Sequence, residues 1–390
     1  MEKMRKKVLF MTPAVHAAIS SGGQHVTLER LSALAVAADV TVLTLSADGE
    51  ARRLFPEVDW VVAGSLRPRS VLNLLYSYFA DLPLSVWRNT TAAIAGEARK
   101  LNARCFDLVY IDHWLMGEAG RVCTAKYKVL HLHNAEPEIF RRAAVHATLS
   151  SGLVLRLEAR RCATYLRKLV QIVDELHLLS DDDRRCLVMR DIRHDHTHAF
   201  LPAVQWAQPA FASFAERARA TLYIGTLSWH ANQEGLHWYG RAVLPLLPTD
   251  IDLHLIGGGA SRSLKDKLVS HANVKMHGYL DQIEHYYSTT RCLVAPLLSG
   301  SGIKMKIVHA LARGLPVVTT PTGVEGFPAG FERAIFVGKD PKQFAEHVKS
   351  LLENESVWIE ASHAAREYCS RHFSGVEWEN WVRHLLPRTS

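Results

Sequence analysis

The chain has 390 residues, of which 48% are hydrophobic and 22% charged, and its formal net charge is +7. This composition excludes a disordered chain, and the length predicts two domains. No apolar run approaches the roughly 18 residues of a membrane-spanning helix, and the modest, dispersed positive charge lacks the clustered basic and aromatic pattern of a nucleic-acid-binding protein.

The first half of the chain alternates short apolar runs with helix-length segments. The apolar runs that predict buried strands are residues 7–12, 40–45, 108–111, 129–132 and 176–179. The segments with helical periodicity between them include residues 24–37, 90–102 and 153–173. Because strand and helix alternate, we expect an α/β domain whose parallel sheet is covered by helices on both faces.

The second half repeats this alternation after a change in composition. Residues 200–219 contain Pro202 and Pro209 and predict a link between two α/β domains. Strands are then predicted at residues 221–224, 252–256, 274–277, 292–296, 316–319 and 334–337. Three helices are predicted in the tail, at residues 343–353, 357–372 and 376–386. The last of them carries Trp378 and Trp381 and is amphipathic enough to pack on another domain.

A loop of small residues, Ser299-Gly300-Ser301-Gly302, follows one of these strands and precedes a helical pattern. Glycines let backbone N–H groups approach a ligand, and a helix N-terminus carries partial positive charge. Lys304 and Lys306 lie at the start of the helix, so the segment predicts an anion site, most simply for a diphosphate. The alternative is an ordinary crossover turn, and for Lys306, about 200° around the helix from Lys304, a solvated face.

Short motifs on both sides of this loop occur in a fixed order. Leu222-Tyr223-Ile224-Gly225 is followed by Trp229 and Asn232, then by the run LIGGG at 255–259 and by VKMHGYL at 274–280. With the loop, this series closely resembles the second domain of GT-B glycosyltransferases of the retaining "group 1", or family-four, type. In that family the strand and turn corresponding to VKMHGYL hold the nucleobase through backbone groups.

The first half carries matching motifs. Gly22 and Gly23 follow the first strand and resemble the family's glycine loop beside the acceptor and the donor phosphates. His133-Asn134-Ala135-Glu136 is similar to its HN-x-E segment. Ser180 to Asp183 resembles its S-x-x-D turn, in which Ser180 would cap a helix. Asp112-His113 follows a strand at a point where the family often lines the acceptor side.

The resemblance implies an α/β protein made of two Rossmann-like, doubly wound parallel-sheet domains that face each other across a cleft. A C-terminal helix is expected to pack back on the first domain. On this basis the acceptor-binding domain covers residues 1–202, the nucleotide-sugar-binding domain covers 203–372, and the returning helix lies in 373–390.

The implied activity is transfer of a hexosyl or deoxyhexosyl group, with retention, from a nucleoside diphosphate sugar to a glycan or lipid-linked acceptor of a surface glycan. His113 and Lys304 are the candidate catalytic residues. The candidate donor-binding residues are Gly22, Gly23, Gly225, His277, Gly278, Tyr279, Ser299, Gly300, Ser301, Gly302, Ile303, Lys304 and His309. No cofactor is expected, and because no Asp-x-Asp pair is present where a divalent ion would be needed, transfer is predicted to be metal-independent.

The sequence departs from the family at two positions. Where the family typically has two glutamates spaced Glu-x7-Glu, this chain has Ser301 and His309. A histidine can make one hydrogen bond to a ribose hydroxyl, whereas a carboxylate accepts two. We therefore expect backbone amides of 299–303 to hold the sugar. The alternatives are a non-catalytic nucleotide-sugar-binding protein and a sugar-nucleotide epimerase on the same fold.

His113 and the set of histidines at 194, 196 and 198 each have a functional and a structural interpretation. His113 could orient the acceptor or accept its proton, or it could be a satisfied structural histidine. His194, His196 and His198 alternate, so they would share one face if the segment were extended, and they indicate a polar edge more than a metal site.

The segment 66–88 mixes three arginines with leucines and aromatic residues. It predicts either peripheral membrane contact or a helix packed beside the first sheet. The six scattered cysteines fit a reducing compartment, so we expect a cytoplasmic protein. On the first interpretation of the segment 66–88, it would contact the inner face of the membrane peripherally.

Overall fold

The computed structural model describes residues 5–17, 21–145, 149–204, 212–269 and 271–388. The chain divides into two compact units: the first holds Met1–Pro202 and Gly375–Ser390, and the second holds Ala203–Ser374. The predicted link between the domains falls partly on residues 205–211, which lie outside the described residues.

The first unit is built on a sheet of seven parallel strands. They are β1 (Lys7–Val15), β2 (Asp39–Ala47), β3 (Asp59–Val62), β4 (Phe106–Asp112), β5 (Ala125–His131), β6 (Glu175–Leu178) and β7 (Thr197–Ala199). Their order in the sheet is β3-β2-β1-β4-β5-β6-β7. The chain therefore starts in the middle of the sheet and winds outwards in both directions, as the doubly wound arrangement requires.

In the described part of this unit, nine α-helices lie between successive strands of the sheet. They are α1 (Gly22–Ala37), α2 (Gly49–Leu54), α3 (Val71–Phe79), α4 (Leu84–Asn89), α5 (Ala92–Leu101), α6 (Gly117–Val122), α7 (Glu136–Val145), α8 (Leu149–Leu169) and α9 (Asp181–Val188). Several begin at a side-chain cap: Ser21 Oγ accepts from Gln24 N, and Ser180 Oγ accepts from Asp183 N. Such caps satisfy backbone N–H groups that the helix itself leaves unpaired.

The second unit repeats the plan with six parallel strands. They are β8 (Ala218–Ile224), β9 (Asp252–Ile256), β10 (Val274–Gly278), β11 (Thr290–Ala295), β12 (Val317–Thr319) and β13 (Ile335–Val337), in the order β10-β9-β8-β11-β12-β13. Its helices are α10 (His230–Trp238), α11 (Arg262–Val269), α12 (Glu284–Thr289), α13 (Met305–Ala312), α14 (Pro341–Glu353) and α15 (Glu355–His372). The order reverses between β8 and β11, the position at which open parallel sheets bind ligands.

The last helix, α16 (Val376–Arg388), belongs to the first unit, as predicted. Trp378 is almost fully buried against Tyr110 of β4, and the Arg30 guanidinium lies 4.6 Å from its ring centroid. Trp381 stacks on Trp378, and its indole N–H donates to Glu175. The two tryptophans thus complete one side of the first sheet's core. Among the described residues no helix is long and apolar enough to cross a membrane.

Candidate functional site

Three turns at the carboxyl ends of neighbouring strands in the second unit are joined by backbone hydrogen bonds. Gly225 N, after β8, donates to Ile256 O at 3.0 Å, and Gly257 N, after β9, donates to Gly278 O at 2.7 Å. A Cβ on Gly257 would lie 1.8 Å from the carbonyl oxygen of Gly225, and its φ is +150°. Glycine is therefore required there, because the two turns pass in backbone contact.

The predicted phosphate loop lies beside these turns, after β11. Gly300 and Gly302 have φ values of +119° and +72°, which other residues adopt at a cost. Lys304 occupies the N-cap position of α13 and is 7% exposed. Its ammonium donates to the carbonyl of Gly302 at 2.5 Å, so the lysine is folded back onto the loop.

Lys306 lies in the same site, and its interpretation as a solvated side chain is wrong. An angle of about 200° between the two lysines requires both to lie on one regular helix, but Lys304 has φ −91° and ψ 89°, outside the helical region. Lys306 Nζ donates to Asn232 Oδ1 at 2.8 Å and to Tyr223 OH at 3.2 Å. Burial, together with the charge of Lys304, lowers the pKa of Lys306 to about 7.

Gly225, a predicted donor-binding residue, lies beside this ammonium. A Cβ there would lie 2.8 Å from Lys306 Nζ and 3.1 Å from Asn232 Nδ2. The absence of a side chain at Gly225 therefore leaves room for the buried amine between β8 and α13. Three residues that lie up to 81 positions apart in sequence therefore form one cluster: Gly225, Asn232 and Lys306.

The loop also contacts a carboxylate that the sequence did not indicate. Ser299 Oγ donates to Glu234 Oε2 of α10 at 2.5 Å. Ser301 Oγ is buried and finds no hydrogen-bond partner among the described residues. His309 lies further along α13, where its carbonyl accepts from Arg313 at 3.0 Å. Ser301 and His309 thus stand at the positions where the family has glutamates. The carboxylate that contacts the loop is that of Glu234.

The residues at the end of the strand that is predicted to hold the nucleobase differ in their contacts. His277 is bonded at both ring nitrogens, to His254 Nδ1 at 3.0 Å and to Tyr286 OH at 3.3 Å. Gly278 has φ +71°, and the side chain of Tyr279 is exposed. The ring nitrogens of His277 are therefore already paired, and its contact with the nucleobase through backbone groups stays a prediction.

In the first unit, Asp112 is the centre of a buried hydrogen-bond network. Thr12 and Thr27 donate to Asp112 Oδ2 at 3.1 and 2.6 Å. His131 Nδ1 and His133 Nε2 each lie 2.9 Å from Asp112 Oδ1. Burial alone would raise the pKa of Asp112, but the two histidines hold it well below its usual range.

This network also contains side chains of the types that coordinate metal ions. Among the residues that the structure describes, Asp112, His131 and His133 alone bring three such ligand atoms within 4.8 Å of one another. Each carboxylate oxygen already has two hydrogen-bond partners, which fills its acceptor capacity. The geometry therefore fits a proton-linked network better than a cation site.

His113 lies next to this network in a strained backbone conformation, with φ +100° and ψ 133°. Its Nδ1 accepts from Leu115 N at 3.4 Å, and its Nε2 lies 3.9 Å from Glu136 Oε1. Burial and His133 lower the pKa of His113 to about 3, while burial raises the pKa of Glu136 to about 7. His113 is therefore neutral and fixed as a turn cap.

The predicted glycine loop meets the same network. A Cβ on Gly23 would lie 3.3 Å from His133 Nδ1, whereas Gly22 is the first residue of α1. Thr27, one turn after Gly23, bonds Asp112. The HN-x-E segment is held in turn by Asp183, whose carboxylate accepts from Ala135 N at 3.1 Å. The fold of the first unit thus brings together Gly23, Asp112, His113, His133 and the S-x-x-D turn.

The alternating histidines do not form a site of this kind. His194 Nε2 lies 3.1 Å from Val173 O, and its Nδ1 lies 3.0 Å from His196 O. His198 lies at an exposed sheet edge, 3.9 Å from a Glu175 oxygen. These contacts agree with the interpretation of a polar edge.

Comparison with known proteins finds matches to the second unit. The model of the family "Glycosyl transferases group 1" matches residues 218–354. A relative, the "Uncharacterized 44.6 kDa protein in cps region" of Klebsiella pneumoniae, is 27% identical over 145 residues, or 35% of this chain and 37% of that protein. The match therefore spans little more than a third of the relative's length.

Solved structures of the same fold cover nearly the whole chain. Anabaena Alr3699/HepE, in complex with UDP-glucose, has a TM-score of 0.69 at 15% identity and covers 98% of this chain and 99% of its own. WaaG, a glycosyltransferase involved in lipopolysaccharide biosynthesis, has a TM-score of 0.67 at 15% identity, with 97% and 100% covered. The predicted resemblance to group 1 glycosyltransferases and the predicted GT-B fold are confirmed.

Proposed function

We propose that the chain is a retaining glycosyltransferase that moves a hexosyl or deoxyhexosyl group from a nucleoside diphosphate sugar. One observation carries this proposal: in the segment that matches the family, a glycine loop and two inward-directed lysines lie at the reversal point of a parallel sheet. The relative with UDP-glucose supports a sugar nucleotide as donor.

The chemistry requires stabilisation of a departing diphosphate. Negative charge grows on the leaving group as the bond to the anomeric carbon breaks, so fixed donors placed there lower the barrier. Lys304, Lys306 and the amides of 299–303 would supply this charge and these donors. We also propose transfer without a divalent ion, because Lys304 and Lys306 would supply positive charge beside the diphosphate.

Thermal shift with UDP, GDP, dTDP and ADP tests the donor site. One of these nucleotides should raise the melting temperature by mass action. At a ligand concentration 100 times Kd, the free energy of unfolding increases by about 2.7 kcal/mol. Lys304→Ala should lose most of this gain, whereas Lys342→Ala, at an exposed position of α14, should keep it. An unchanged shift in Lys304→Ala would contradict the assignment.

The proposed acceptor is a glycan or a lipid-linked sugar, and the first unit has a surface suited to a membrane. The exposed apolar side chains of α3 are Val71, Leu72, Leu75, Tyr76, Tyr78 and Phe79. Helix α8 adds exposed Leu149, Leu153, Val154 and Leu157, and its Arg161 bonds Ser77 of α3. Exposed Arg69, Arg156 and Arg160 would favour anionic lipid.

Co-sedimentation with vesicles, with and without anionic lipid, tests this peripheral contact. The wild type should bind, more strongly when anionic lipid is present, and the double variant Leu72→Glu/Phe79→Glu should not. Val36→Glu, at an exposed position of α1, is the matched control and should bind like wild type. Absence of wild-type binding to either vesicle would remove the membrane proposal; a cytoplasmic location stays a prediction.

A non-catalytic nucleotide-sugar-binding protein is the second candidate. It is favoured by Ser301 and His309, which stand where the family has glutamates. Slow release of nucleoside diphosphate from the sugar donor without added acceptor would support the enzyme, and binding of the donor without release would support the second candidate.

A further inference from the structure

Strand β10, at one edge of the second sheet, contains a β-bulge close to its carboxyl end. Met276 pairs with Leu255 of β9, and Gly278 pairs with the next residue along β9. His277 is therefore the extra residue of the bulge. A β-bulge bends its strand and re-aims the residues that follow it, and bulges are frequent beside ligand sites. The residue that follows this one, Gly278, has φ +71°.

The backbone after the bulge is connected to the lysine cluster through the turns of the neighbouring strands. Gly278 O accepts from Gly257 N at 2.7 Å, and Gly257 itself meets the carbonyl of Gly225 in backbone contact. Gly225 in turn lies beside Lys306 Nζ. A shift at the bulge would therefore move the nucleobase end of the predicted donor site relative to its diphosphate end.

Two side chains hold the bulged residue in place. His277 Nε2 lies 3.0 Å from Nδ1 of His254 on β9, and His277 Nδ1 lies 3.3 Å from the hydroxyl oxygen of Tyr286 on α12. The two imidazole rings are nearly parallel, with an interplanar angle of 15°. The bulge is thus tied by side chains both to the neighbouring strand and to the helix that follows β10.

The hydrogen bond between the two imidazoles depends on their protonation. It needs a proton on one of the facing nitrogens and none on the other, so the pair keeps the bond when it is neutral or has taken up one proton. Burial lowers the pKa of both rings, and the charge of His277 lowers the pKa of His254 further. The doubly protonated pair, which cannot form this bond, is therefore disfavoured.

We propose that the chain of His254, His277 and Tyr286 positions the backbone of 277–279 for the nucleobase, and that His254 is a positioning residue for base recognition. The proposal rests on the proposed donor site. Every residue except proline offers the same backbone N–H and C=O groups, so the base that such a segment selects depends on where these groups are held. His254 acts through His277 and the bulge.

Titration calorimetry with UDP, GDP, dTDP and ADP tests the proposal in two variants whose new side chains have nearly the same shape. His254→Leu loses the hydrogen bond to His277, whereas His254→Asn keeps a polar atom close to the former position of Nδ1. The preference for the best of the four nucleotides should fall about fivefold to tenfold in His254→Leu, as for the loss of one hydrogen bond. His254→Asn should keep most of the wild-type preference.

The two variants also separate positioning from stability. Asparagine is depleted in strands, so an effect through stability alone would harm the asparagine variant more than the leucine variant. His347→Leu is the matched control, because His347 is a half-buried histidine of α14 whose ring lies against Phe336. This control should keep the wild-type preference among the four nucleotides.

The possible outcomes distinguish this inference from the proposed function. Equal preference in wild type and His254→Leu, or equal losses in the two His254 variants, would overturn the inference and leave the donor site intact. A wild type that binds all four nucleotides alike would also overturn it. A wild type that binds none of them would overturn the proposed function itself.

Nitrogen NMR of the ¹⁵N-histidine-labelled full chain gives a second readout that needs no nucleotide. A scalar coupling between His254 Nδ1 and His277 Nε2 should be observed across the hydrogen bond in the wild type, and it should vanish in His254→Leu. Absence of this coupling from the wild type at pH 7 would contradict the inference.

Discussion

At the scale of single residues, Lys306 couples diphosphate binding to pH. Its pKa is about 7 in the ligand-free site because burial and Lys304 disfavour the charged form. A bound diphosphate favours the charged form and raises this pKa, so above pH 7 binding takes up a proton. Affinity for the diphosphate should therefore fall as pH rises.

We expect the affinity for UDP, or for the diphosphate that binds, to fall about tenfold or more between pH 7.5 and 9, since each pKa unit of coupling corresponds to a factor of ten. Titration calorimetry in buffers of different ionisation enthalpy measures both the affinity and the proton uptake. Lys306→Met should bind more weakly and lose the pH dependence over this range. A wild-type affinity that is constant from pH 7.5 to 9 would contradict the lowered pKa.

At the scale of elements, the tightest contact in the donor region joins α10 to the loop after β11. A Cβ on Gly235 would lie 1.6 Å from the carbonyl oxygen of Pro296, so helix and loop pass in backbone contact. This contact places Glu234 beside Ser299 and Asn232 beside Lys306. The donor region is therefore held by the packing of α10 as well as by the loop.

Gly235→Ala should destabilise the second unit by about 1–3 kcal/mol, because the added methyl group forces helix and loop apart. Gly258→Ala is the control, since its Cβ would meet Tyr279 Cβ at an ordinary 3.6 Å. Urea unfolding of both variants measures the difference, and equal midpoints would show that the helix yields without cost.

The strands that the sequence did not predict are those that bury little apolar surface. Every strand with a long buried apolar run was predicted, but β3 and β7 were not. The sequence of β3 is DWVV with no fully buried residue, and β7 has three residues, THA, at the edge of the sheet. Edge strands bury little apolar surface, so their sequences carry a weak signal.

Within the site, residues with a local sequence signal could be predicted, whereas contacts between distant residues could not. The loop 299–302 and Lys304 could be predicted because their signal is local in sequence. The contact of Ser299 with Glu234 spans 65 residues, and that of Thr12 with Asp112 spans 100. Such pairs are created by the order of strands in the sheet, which a single sequence does not specify residue by residue.

At the scale of the whole molecule, each unit has its own apolar core, and α16 completes that of the first. Trp378→Ala should cost about 3–5 kcal/mol, as for other large buried aromatic residues. Hydrogen exchange should accelerate in β1 and β4 of the first unit, while β8 and β11 of the second stay protected. Val376→Ala, at an exposed position of the same helix, should change neither; uniform acceleration in both sheets would contradict separate cores.

The position of α16 also sets the order in which the chain can fold during synthesis. The first unit is encoded first, yet Trp378 emerges only after all of the second unit has been made. At typical rates of 5–20 residues per second, this delay is roughly 10 to 35 seconds. Through that interval Tyr110 and its apolar neighbours lack their cover. While the second unit is being made, a ribosome-bound nascent chain therefore presents a first unit whose core is incomplete, and uncovered apolar surface of this kind is what chaperones bind.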